Sequence, residues 1–93
     1  MINKLSKTLK SQLEDLNPQY REEYLYHNGI GALDLFIYFP QSDIELKVRI
    51  TLTLQENGLI RPDYSIYDQN QTIRVMTYNE MDYIVQHIKA LIS

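Results

Sequence analysis

A chain of 93 residues is one small domain, able to bury roughly 60 to 65% of its unfolded surface around a single core. A hydrophobic fraction of 44% marks a folded protein rather than a disordered one, and the lack of cysteine excludes disulfides, thiolate metal sites and cysteine nucleophiles. A formal charge of −3 offers neither the positive excess of a duplex-binding domain nor the strong acidity of a nucleic-acid mimic.

The opening stretch, MINKLSKTLKSQLEDL, places Ile2, Leu5, Leu9, Leu13 and Leu16 on one stripe at three- and four-residue spacing, which predicts a helix from about residue 2 to about 16. It has no continuous apolar run of signal-peptide type, and no window reaches the ~20 apolar residues of a membrane span, so a soluble cytoplasmic chain is expected. Lys4, Lys7 and Lys10 make the helix basic, but a narrow aliphatic stripe without an aromatic anchor, followed by Glu14 and Asp15, describes a core helix with a wet face better than a membrane-surface one.

Residues 18–27, PQYREEYLYH, admit two readings. Asn17 as N-cap and Pro18 at the first helical position would open a short helix that stops at Asn28-Gly29. Alternatively Asn28-Gly29 is a hairpin turn and EYLY belongs to its first strand. The short helix is favoured because REEY has no apolar alternation.

Four strands follow. ALDLFIYF puts Leu33, Leu35, Ile37 and Phe39 on one face and ends at Pro40, and DIELKVRITLTL alternates completely, with Ile44, Leu46, Val48, Ile50, Leu52 and Leu54 inward. Asn57-Gly58 supplies a hairpin turn. LIRPDYSIY then turns Ile60, Tyr64 and Ile66 inward and is bulged or partly free at Pro62, which has no N–H to donate. In TIRVMTY the inward residues are Ile73 and Val75. The chain closes with NEMDYIVQHIKALIS, a helix capped by Asn79, acidic in its first turn and striped by Met81, Ile84, Val85, Ile88, Leu91 and Ile92.

Short loops force neighbouring strands to pair antiparallel. The expected architecture is α+β: a four-stranded antiparallel meander with the N- and C-terminal helices packed on its aliphatic face, as a single domain over 1–93. The opposite face is left open. Alternation assigns Phe36, Tyr38, Tyr67, Met76 and Tyr78 to it, interleaved with Lys47, Arg49, Arg61 and Arg74 and flanked by Asp34, Glu45 and Asp63. Aromatic and Arg side chains are enriched at protein interfaces and their hot spots. Their ordinary structural role, cross-strand pairing for stability, fits the same pattern.

Catalytic patterns are missing from the sequence. His27 and His87 are far apart and adjoin no other ligand type, three glycines form no phosphate loop, no G-x-S-x-G occurs, and the Glu14-Asp15 and Glu22-Glu23 pairs read as solvated helix charges. No enzyme activity, cofactor or metal is expected. The favoured reading is a protein-binding module, an inhibitor or accessory factor in type, contacting its partner through Phe36, Tyr38, Arg49, Arg61, Tyr67, Arg74 and Tyr78. Single-stranded nucleic-acid binding on the same face is the alternative, with bases stacked on the rings, although four positive groups against three negative grip phosphate poorly. A homodimer that covers the aromatic face by two-fold symmetry is a further possibility.

The order of helix, antiparallel strands and helix is similar to the double-stranded RNA-binding domain, yet NEMDYIVQHIK is acidic where that family is basic, and four strands are expected rather than three. The layout and size also look like small phage and mobile-element inhibitors, including certain anti-CRISPR proteins, which implies binding to a host defence protein. Neither resemblance extends to a motif, and fold-level analogy assigns no family.

Overall fold

The computed structural model describes residues 1–27, 30–67 and 72–92, with the backbone alone at 26, 27 and 30. The elements are α1 (Ile2–Gln12), a 3-10 turn (Glu14–Leu16), β1 (Gln19–His27), β2 (Ile30–Phe39), β3 (Ile44–Leu54), β4 (Ile60–Tyr67), β5 (Arg74–Tyr78) and α2 (Met81–Ile92). The fold is α+β with an antiparallel sheet, and the sheet has five strands in the order β1-β2-β3-β4-β5 rather than four. The extra strand is residues 19–27, where a short helix is the favoured expectation. The Asn28-Gly29 turn and the side chain of His27 lie outside the described residues.

The reason is local. The first helix ends at Gln12 and tightens into the 3-10 turn, after which Asn17 adopts a left-handed conformation (φ 50°, ψ 50°) instead of capping a new helix. Such a residue stops a helix and redirects the chain, and Pro18 delivers it extended into β1. There Tyr20, Glu22 and Tyr24 pair with Ile37, Leu35 and Leu33 and face the helices. Glu22 is tolerated on that side because the Ser6 hydroxyl and the Lys10 ammonium both donate to its Oε1, and Tyr24 donates to Oε2 at 3.2 Å.

Leu9 and Leu13 from the amino-terminal segment and Ile84, Val85 and Ile88 from α2 share one core with Leu33, Leu35, Ile37, Phe39, Leu46, Val48, Ile50, Tyr64 and Ile66. The strands outrun this cover. An 11-residue strand such as β3 spans ~36 Å, whereas a 12-residue helix such as α2 spans ~18 Å. Leu54 and Ile60, paired beside the Asn57-Gly58 turn, are therefore more than half exposed, although alternation alone turns Ile60 inward. The turn itself needs Gly58 at φ 83°, a region open to glycine at no steric cost. Pro62 sits in register opposite Leu52, on the part of β4 that β5 does not reach.

A register irregularity falls elsewhere, between Ile66 and Tyr67. Tyr67 is opposite Arg74 but Ile66 is opposite Met76, so Val75 is an inserted residue and the parity of β5 changes after it. Met76 and Tyr78 consequently lie on the helix side, not on the open side where strict alternation puts them. Among the described residues no helix is long and apolar enough to cross a membrane.

Candidate interaction face

The open face is built from the residues that alternate with the core. Arg21 and Glu23 come from β1, Asp34, Phe36 and Tyr38 from β2, Glu45, Lys47 and Arg49 from β3, Arg61, Asp63 and Tyr67 from β4, and Arg74 from β5. Pairing fixes which of them touch. Phe36 stands between Arg21 and Lys47, and the Arg21 guanidinium carbon lies 3.9 Å from its ring centroid. The ring is only 8% exposed as a result. Tyr67 lies opposite Lys47, whose Nζ is 4.1 Å from the ring centroid, with the Arg49 guanidinium carbon at 5.5 Å. Cations over ring faces are attracted by the ring quadrupole.

Arg49 is fixed from its other side by Asp34, its cross-strand partner. Nε donates to Oδ1 at 2.7 Å and Nη2 to Oδ2 at 3.0 Å, a two-point grip on a carboxylate that is 5% exposed. That hydrogen bonding, opposed by burial and aided by the negative charge, holds the guanidinium above even arginine's usual range. Tyr38 donates to Asp43 Oδ1 at 2.9 Å, and this bond raises its phenol above the ordinary tyrosine value. Arg61 meets Asp63 at 3.4 Å, while the Thr53 hydroxyl donates to the same carboxylate at 2.9 Å. Arg74 is exposed and, among the described residues, enters no ion pair.

Six of the seven residues singled out from the sequence, Phe36, Tyr38, Arg49, Arg61, Tyr67 and Arg74, thus share the open side, and Tyr78 does not. Tyr78 is half buried on the helix side, where its hydroxyl is 2.7 Å from His87 Nδ1 and its ring meets the imidazole edge to face. Phe36 lies beneath a neighbouring side chain of the same face, so it is an anchor for Arg21 more than a bare ring. Arg21 is the residue that sequence reasoning misses, because β1 is read as a helix. The hairpin reading of Asn28-Gly29 is the signal that would have placed it.

Among the described residues, no group of three or more His, Asp or Glu side chains is placed to hold a metal ion. The arrangement instead presents fixed guanidinium groups and ring edges on a broad strand surface. Compared with known proteins, the chain matches no protein-family model, no curated protein and no solved structure.

Proposed function

We propose that this chain is a small non-enzymatic protein-binding module, an inhibitor or accessory factor in type, that works by laying the open face of its sheet on a partner. The observation that carries this reading is the Arg and aromatic lattice on that face. Arg21, Arg49, Phe36 and Tyr67 are held by one another and by Asp34 before any partner arrives. Side chains ordered in advance lose less entropy on binding, and Arg and Tyr are the types that dominate binding energy at interfaces. The near balance of charge on the face suits a mixed protein surface better than a phosphate backbone. The burial of Phe36 beneath Arg21 also leaves little ring for a base to stack on.

The test is affinity capture from the source cell with the intact protein as bait, beside Arg61→Ala, Tyr38→Ala and Tyr67→Ala variants whose unfolding curves match the parent. A partner that is retained by the parent and lost by the variants supports the reading. Equal retention by all of them removes the face from consideration. A salt-sensitive titration with single-stranded oligonucleotide would favour nucleic acid instead.

A further inference from the structure

We infer that the hollow between α2 and the last three strands is a binding site for a small monocarboxylic acid with a compact apolar body, held by a hydrogen bond from His87. The hollow measures about 240 Å³. That exceeds the ~150 Å³ that houses benzene and falls short of the ~300 Å³ at which drug-sized pockets begin, so a single ring with a small head group fills it. Ile44, Leu46 and Ile66 line it from β3 and β4, Val75 from β5 and Leu91 from α2. Leu46 and Ile66 are buried, so the hollow reaches down to the core. It opens where the extra residue at Val75 bends β5 beside the helix. An apolar lining with very few polar groups to fix orientation is the usual composition of a ligand site.

His87 names the head group. Its Nδ1 lies 2.7 Å from the Tyr78 hydroxyl and the two rings meet edge to face, which fixes the imidazole in place. Among the described residues Nδ1 is the one acceptor that this hydroxyl reaches, so the phenol donates and the imidazole carries its proton on Nε2. Nε2 has no partner among the described residues. Since none of their buried side-chain nitrogens or oxygens is left unsatisfied, this N–H is accessible. His87 thus brings to the lining of the hollow a fixed donor without an acceptor. Tyr67, whose hydroxyl also donates, is the other polar residue of the lining. The occupant has to supply the acceptor, and an ionised carboxylate accepts more strongly than a neutral group. Among the described residues no Asp or Glu lines the hollow to repel it. Phe36, Tyr38, Arg49 and Arg61 take no part, so the site goes beyond the function proposed above.

Titration of the isotopically labelled full chain with phenylacetate, followed through amide chemical shifts, tests the inference. Saturable shifts are expected at Val75, His87 and Leu91, with a dissociation constant of about a millimolar or below. Phenethylammonium, of similar size but without an acceptor, should leave these amides unmoved. His87→Phe keeps a ring and removes the donor, and should weaken binding at least about tenfold. Leu91→Trp, at an exposed position, should fill the hollow and abolish binding with an unchanged circular dichroism spectrum. Shifts that stay linear up to about 10 mM phenylacetate overturn the inference. Equal binding of phenethylammonium, or binding indifferent to His87→Phe or to Leu91→Trp, does so as well.

Discussion

Arg21 roofs Phe36: the guanidinium sits 3.9 Å from the ring centroid and takes the place that a covering helix would occupy on the other side of the sheet. Two consequences can be measured by urea unfolding. Phe36→Ala should cost about 2 to 3 kcal/mol, less than a fully packed core phenylalanine because its cover is a single adaptable side chain. Arg21→Ala should cost about 0.5 to 1 kcal/mol.

Removing Arg49 leaves the Asp34 carboxylate buried without its two donors. Arg49→Ala is therefore expected to destabilise by about 2 to 4 kcal/mol, because an uncompensated buried charge costs more than the pair contributes. Asp34→Leu with Arg49→Met should lose less than the sum of the single changes. A double-mutant cycle with coupling near zero would show that the two residues do not act as a unit.

Glu22 titrates below the ordinary carboxyl value of 4.5, chiefly because Lys10 donates to it, with burial opposing and Ser6 assisting. The folded carboxyl binds its proton less readily than the unfolded one. Its stabilisation is present above pH 4.5 and is lost as the pH falls through the lower folded value. Urea midpoints measured from neutral pH down to strong acid should fall more steeply for the parent than for Glu22→Gln.

Tyr20 behaves in the opposite sense at the alkaline end. Burial, helped by the charge of Glu14, raises its phenol from 10.0 to about 12. The unfolded chain releases this proton first, so stability held below pH 10 drains away as the pH rises towards 12. Tyr20→Phe should flatten the alkaline loss while giving up the 3.2 Å hydrogen bond to the Lys10 carbonyl. Denaturant midpoints between pH 9 and 12 that are no flatter in the variant would contradict the assignment.

The two central strands and both terminal helices are legible in the sequence because their apolar positions repeat with one period throughout, as in Ile44 to Leu54 and in Ile84, Val85 and Ile88. β1 is not, because an edge strand has one neighbour and admits charge on both sides. Glu22 breaks its pattern and is compensated by Lys10 and Ser6, which are distant in sequence. The open face is readable to the extent that alternation holds, which carries Phe36, Tyr38, Arg49, Arg61 and Tyr67 to the correct side. Tyr78 escapes because the inserted Val75 is a pairing event with no residue signature of its own.

That insertion has an evolutionary corollary. Loss of the codon for Val75 would leave Met76, Thr77 and Tyr78 opposite Ile66, Ser65 and Tyr64, as they are now, and would remove only the bend that an extra residue puts into the final strand. Length variation at this one position would thus reshape the sheet's border through its local twist, without changing which side chains meet the helices.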